Sequence, residues 1–227
     1  MPRTEVIDLG LIDYHQALAK QLELVEQVQE DPELQYIVIC SHPPVATLGR
    51  KTKPEDVAEW KGEQVEVQRG GRVTYHGPNQ IVVYPIVNLT VEREHLKARD
   101  LHGYLRLLEQ VVIKTLAECG IPATNKPAPE FLALQQDVEP TGVWVGNHKI
   151  CSIGIGVKKW VTYHGLALNI IKDDSAFQGL KPCGFSPEVM TSMEQVAGSA
   201  VDREFVKSHL LEFTKTLSNF CTGGVSR

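Results

Sequence analysis

Cys183 lies between Pro182 and Gly184. Proline and glycine on either side break regular structure, so the spacing predicts a tight, irregular turn that carries the thiol. A thiol on a turn can face a pocket, whereas a core thiol is packed and inert. The reactive species is the thiolate, and a nearby ammonium favours it. Lys149 opens the stretch KICSIGIGVKKWVTYHGLALNI, which leads through a short polar connector to KPCGF. A lysine paired with a turn-borne cysteine suits acyl transfer. Cys151 is the rival thiol. In a regular strand Lys149, Cys151 and Ile153 share one face, with Ser152 and Gly154 on the other. Lys149 is then near Cys151 by local geometry, and proximity to Cys183 has to come from tertiary folding. Thiol access favours Cys183, because Cys151 sits in an apolar strand. Lys149 also suits a hairpin edge.

Two further runs carry polar handles or open space. In Arg69, Gly70, Gly71, Arg72, Val73, Thr74, Tyr75 and His76, the glycines let backbone N–H groups approach a ligand and the other residues surround it. The same glycine pair is also a plain turn between strands. In HGLALN, Gly165 and Ala167 are small where bulkier strand formers are expected. They open one wall of a pocket or permit close strand packing. There is no P-loop, GxGxxG, HExxH or GxSxG, and no CxxC pair for zinc.

Strands are expected at Glu5–Leu9, Gln35–Cys40, Val65–Gln68, Ile81–Val87, Gly142–Val145, Lys149–Val157 and Val161–Ile170, the last two as a hairpin. A further short strand follows the proline-rigid loop in HPPVATLGR, and a helical turn is expected near Pro54–Trp60. Asp13 reads as the N-cap of a helix to Glu30 with Leu18, Leu22, Val25 and Gln29 inward. Asp100 caps a second, to Cys119, with Leu101, Leu105, Leu108, Val112 and Leu116 inward and Gly120 as its stop. Asp202 caps a third, to about Phe220, with Val206, Leu210, Phe213 and Leu217 inward. Pro122–Pro140 has no clear period. Hairpin signals outnumber clean βαβ units, so the expected fold is α/β (α+β), a mixed sheet flanked by helices.

The 227 residues are 42% hydrophobic and 22% charged, an ordinary globular balance with no linker, read as one domain over 1–227. A net charge of −5 argues against a nucleic-acid partner. Arg50, Lys51 and Lys53, with Lys158 and Lys159, are the residues available for a local basic patch. The five scattered cysteines, an odd count, fit a reducing compartment. No membrane span or leader pattern is visible, so the expected location is cytoplasmic.

HPPVATLGR, RGGRVTYHGPNQIVVYPIVNL, GVWVGNHKICSIGIGVKKWVTYHGLALNI and PCGF, in that order, resemble the lipoyl(octanoyl) transferase family over roughly residues 36–193. The resemblance implies the fold of lipoate- and biotin-protein ligases. It implies transfer of octanoyl from octanoyl-acyl carrier protein to a lysine on lipoyl domains of 2-oxoacid dehydrogenase E2 subunits and the glycine cleavage H protein. It implies no cofactor and no metal. Carried over by position, Cys183 is the acyl-thioester nucleophile and Lys149 the lysine that activates it. Arg69–His76, Ser152–Ile153–Gly154 and Gly165–Leu166–Ala167 are the substrate-binding runs. Backbone N–H groups of Gly70, Gly71 or Gly165 are candidate oxyanion donors. Asn79 departs from the family's usual glycine, and Cys151 from its common alanine; asparagine tolerates a left-handed backbone. The alternatives are an ATP-using ligase of the same fold, a non-catalytic domain binding lipoyl domains or acyl chains, and a cysteine hydrolase with His76 or His164 as base.

Overall fold

The computed structural model describes residues 3–218. Its strands are β1 (Arg3–Leu11), β2 (Leu34–Ser41), β3 (Val45–Leu48), β4 (Glu63–Glu66), β5 (Thr74–His76), β6 (Gln80–Ile86), β7 (Gly142–Val145), β8 (His148–Lys158) and β9 (Val161–Asn169). Its helices are α1 (Tyr14–Glu30), α2 (Leu101–Glu118), α3 (Pro129–Ala133), α4 (Met193–Ala197) and α5 (Arg203–Lys215). One sheet runs β1-β2-β6-β9-β8-β7 and a smaller one β4-β3-β5. β1 pairs parallel to β2, and β2, β6, β9, β8 and β7 pair antiparallel in turn. The expected mixed sheet with flanking helices is the observed fold. No helix among the described residues is long and apolar enough to cross a membrane.

The apolar runs QYIVIC and IVVYPIV are continuous because both faces of the large sheet are covered. Ile37, Ile39, Ile81 and Val83 pack with α2 and α5 residues such as Leu108, Val112, Leu116, Val206 and Leu210. Their neighbours Tyr36, Val38, Val82 and Tyr84 pack on the other face with Leu24, Val25 and Val28 of α1. The period of two thus sorts each strand between two cores.

The three aspartate caps are real. Asp13, Asp100 and Asp202 each accept a backbone N–H from the first turn of α1, α2 and α5. The inward face of α1 is centred on Tyr14, Ala17, Gln21, Leu24, Val25 and Val28, so the expected stripe of Leu18, Leu22 and Gln29 lies at its edge. The polar Gln21 is inward because its side-chain oxygen accepts the His164 N–H at 2.8 Å. β4 begins two residues before the expected strand, at Glu63. The proline-rich stretch holds only the short α3. The expected end of the last helix, 219–220, and Cys221 lie outside the described residues. Asn79 does not adopt a left-handed backbone. Its carbonyl instead accepts N–H groups of Ile170 and Ile171, so glycine's freedom is not needed there.

β9 approaches β6 closely at Gly165, where a Cβ would lie 2.2 Å from the Val83 carbonyl oxygen. Close strand packing and a place on a cavity wall therefore coincide at this residue. Gly165→Ala is expected to lower unfolding free energy by about 1–3 kcal/mol, read from urea denaturation midpoints at unchanged slope. An unchanged midpoint would show that the strands separate without cost.

Candidate active site

A cavity of about 310 Å³ opens where the Arg69–His76 run, β8, β9 and the Cys183 turn meet. Arg69, Gly70, Gly71, Arg72, Thr74, His76, Ser152, Ile153, Gly154, Gly165, Leu166, Ala167 and Cys183 all line it. Val73 and Tyr75 do not. They pack beneath it with Ala46, Phe177, Leu180 and Met190. The glycine-rich half, Arg69–Arg72, lines the cavity continuously, and from there into β5 alternate residues face opposite ways, so Thr74 and His76 reach it and Val73 and Tyr75 do not.

Cys183 sits on a 3-10 turn, Pro182–Gly184, with φ 55° and ψ 22°. A left-handed backbone is unfavourable for a residue with a Cβ and persists only where the surroundings fix it. Three main-chain bonds do so. The Cys183 N–H donates to Val73 O at 2.8 Å, the Glu139 N–H to Cys183 O at 2.9 Å, and the Lys181 N–H to Asp56 O at 2.8 Å. Below the turn, Arg72 makes a two-pronged ion pair with the buried Asp56 and donates to the Asp137 carbonyl. Cys183 is only 9% exposed, so its thiol is reached through the cavity rather than from the outer surface.

Cys151 is fully buried, in the core with Ile150 and Ile153. Burial pushes its thiol well up, against the opposing influence of the Lys149 charge. The inert reading of Cys151 from the sequence matches this setting.

Lys149 does not share the Cys151 face, contrary to the regular-strand expectation. β7 and β8 pair Val143 with Cys151 but Trp144 with Lys149, leaving Ile150 as an extra residue. This bulge resets the alternation. The Lys149 side chain is fully buried against Trp144 and Phe185, its Nζ 5.6 Å and 5.9 Å from their ring centroids. Those two rings form one cluster with Cys183. Tertiary folding therefore brings Lys149 to the cysteine turn. The ammonium stands behind the cavity wall, not in it. Glu139 spans the interval. Its carbonyl accepts the Lys149 ammonium at 3.1 Å while its N–H holds the Cys183 carbonyl.

Inside the cavity, polar groups gather around Arg69. Tyr14 stacks on His76 at 5.7 Å between centroids, and its hydroxyl lies 3.3 Å from His164 Nδ1. Burial holds His76 well below the usual imidazole range and His164 down to about 3, with Arg69 adding to both. Both rings are therefore neutral at neutral pH and are weak proton acceptors, which disfavours a hydrolase that uses either as base. Thr74 Oγ1, His76 Nδ1 and His164 Nε2 are buried atoms of cavity-wall residues, with no hydrogen-bond partner among the described residues. Of the candidate oxyanion donors, the Gly70 N–H is already donated to Ile155 O at 3.0 Å.

Sequence reasoning did not find Tyr14, Tyr84, Glu139 or Thr141, nor His102, Leu105 and Arg106 at the α2 side of the cavity. Tyr84 carried a signal, as the hydroxyl that interrupts an apolar run. Glu139 and Thr141 lie in or beside the proline-rich stretch, where no period exists to place them. The supposed basic patch is largely neutralised, since Lys51 pairs with Glu139, Lys53 with Asp137 and Lys158 with Glu26.

Comparison with known proteins identifies the family. The lipoyl protein ligase A/B catalytic domain matches residues 13–215. An octanoyltransferase of Bdellovibrio bacteriovorus is 47% identical, over 90% of this chain and 96% of that one. An octanoyltransferase of Syntrophotalea carbinolica is 37% identical over 94% and 93% of the two chains. Among solved structures, a putative lipoate protein ligase from T. acidophilum superposes with a TM-score of 0.69 at 14% identity, covering 97% of this chain and 88% of the other. Lipoate-protein ligase A bound with ATP gives 0.65 at 14% identity, covering 96% and 87%. At such identities the structures speak for the fold alone. The sequence relatives and the matching domain carry the assignment: the chain belongs to the octanoyltransferase family within the lipoyl protein ligase A/B catalytic domain, and is an acyltransferase.

Proposed function

We propose that this chain, working as one catalytic unit, moves an octanoyl group from octanoyl-acyl carrier protein to a lysine of lipoyl domains through a thioester on Cys183. This is the first step of protein lipoylation. The acceptors are the lipoyl domains of 2-oxoacid dehydrogenase E2 subunits and the glycine cleavage H protein, met in the cytoplasm. The observation that carries the reading is the position of Cys183. Among the cysteines of the described residues, it is the one that lines the 310 Å³ cavity, whose wall is completed by Ile153, Leu166 and Ala167.

The chemistry follows from thioester exchange. The Cys183 thiolate attacks the octanoyl carbonyl, a new C–S bond forms, and the carrier's sulfur leaves and takes up a proton. The acceptor lysine, as the free amine, then attacks the acyl-enzyme. A C–N bond forms, the C–S bond to Cys183 breaks, and the amine's proton passes to the released thiolate. Loading needs no ATP, because one thioester replaces another. An ATP-using ligase makes an adenylate instead and has no use for a thiol on the cavity wall. Lys149 favours negative charge at the cysteine turn from behind the wall, through the Glu139 main chain that both residues grip.

Incubation with octanoyl-acyl carrier protein should leave one octanoyl on Cys183, located by intact mass and peptide mapping. Cys183→Ser should lose transfer by on the order of 10³-fold or more, while Cys151→Ala retains most of it. A reversed pair would move the nucleophile to Cys151, and turnover of free octanoate plus ATP alone would select the ligase reading. Lys149→Ala should move the pH dependence of Cys183 alkylation upward, by about one unit or less, because a cation that favours the thiolate is gone. An unmoved profile would remove the role given to this lysine.

A further inference from the structure

Arg69 is the most unusual charge in the molecule. Its side chain lines the cavity and is 6% exposed as a residue. One terminal nitrogen donates to Gly70 O at 3.0 Å and Arg72 O at 2.9 Å. The other donates to Thr47 O at 2.7 Å and to Thr47 Oγ1 at 2.9 Å. All four acceptors are neutral. Among the described residues no carboxylate pairs with Arg69. A guanidinium stays protonated in proteins, so a full positive charge is buried here without a counter-ion. Burying an unmatched charge is costly unless an anion arrives to meet it.

The chain makes room for this group in advance. A Cβ on Gly154 would stand 3.2 Å from Arg69 Cδ, and one on Gly49 would stand 2.8 Å from its Nη1. The glycine of the second substrate-binding run therefore seats Arg69 as well as bordering the cavity. The turn that Arg69 braces, through Arg72 O, is the one whose Val73 O accepts the Cys183 N–H.

Lys181, two residues before Cys183, is exposed to solvent, and Arg106 on the cavity wall pairs with Glu109. Arg72 is matched by Asp56 and Asp137, and Glu139 by Lys51. Lys149 lies outside the cavity against two rings and a carbonyl. His76 and His164 are neutral, and burial holds Tyr14 and Tyr84 above the usual phenol range, so they carry no charge either.

We propose that Arg69 is the counter-charge of Cys183, the fixed cation against which the thiolate rests and negative charge on the acyl oxygen develops. The proposal rests on Cys183 as the nucleophile, and deepens that reading. Arg69 acts here as a positioning residue whose charge is held in place by four neutral acceptors, so no reorganisation is needed when the anion forms.

The test is the rate of Cys183 alkylation by iodoacetamide across pH, quantified by peptide mapping. It reads the thiol directly, whether or not Cys183 carries the acyl group. Arg69→Met should slow alkylation at neutral pH about tenfold or more and move the profile to higher pH, by more than Lys149→Ala does. Arg69→Lys should restore most of the rate. Where Arg69→Met does not fold, Thr47→Asp gives the same readout. It places a carboxylate on the guanidinium without removing it, and should slow alkylation in the same direction. Unmoved profiles in whichever of Arg69→Met and Thr47→Asp fold, or a smaller shift for Arg69→Met than for Lys149→Ala, would overturn the proposal. Loss of octanoyl labelling at Cys183 with the alkylation shifts intact would instead sink the nucleophile assignment alone.

Discussion

The structure turns on how one strained residue is held. Cys183 takes a left-handed backbone that a side chain resists, and three segments distant in sequence keep it there by main-chain hydrogen bonds. Val73 comes from the glycine-rich run, Glu139 from the proline-rich stretch and Asp56 from the 3-10 turn after β3. Each is anchored in turn. Arg72 fixes Asp56 and Asp137, and Lys149 fixes the Glu139 carbonyl. Removing one partner of the buried Arg72–Asp56 pair leaves an unmatched charge under the turn, a loss of roughly 3–5 kcal/mol in comparable sites. The Cys183 turn thus depends on side-chain anchors that do not touch the thiol.

The large sheet supplies the rigid half of the site. Both of its faces are packed, and β8 and β9 present Ser152, Gly154, Leu166 and Ala167 to the cavity. The bulge at Ile150 is the one irregularity that matters chemically. Without it Lys149 would join Cys151 in the core; with it the ammonium turns to the cluster that holds Cys183. One inserted residue decides which cluster the lysine packs against.

Much of this was legible in the sequence, for stated reasons. The aspartate caps and apolar periods placed α1, α2 and α5, and the Pro-Cys-Gly triplet announced an irregular turn. The three runs that resemble the octanoyltransferase motifs do converge on one cavity. What could not be read depended on tertiary approach. The period of α1 was misphased because Gln21, a polar residue, turns inward to hold His164. The Lys149 face was misassigned because alternation assumes no bulge. Glu139 was missed because a proline-rich segment has no period, although its backbone is the bridge between lysine and cysteine. That no carboxylate among the described residues pairs with Arg69 is a fact about three dimensions, since the chain has acidic residues in plenty.

The account stands or falls on where the fatty chain rides. A crystal structure of the enzyme trapped after reaction with octanoyl-acyl carrier protein, before acceptor is added, addresses this directly. The account predicts continuous density from the Cys183 sulfur into the cavity, with the tail against Ile153 and Leu166 and the carbonyl oxygen on the Arg69 side. Density on Cys151, or an octanoyl group bound without a bond to any sulfur, would contradict it.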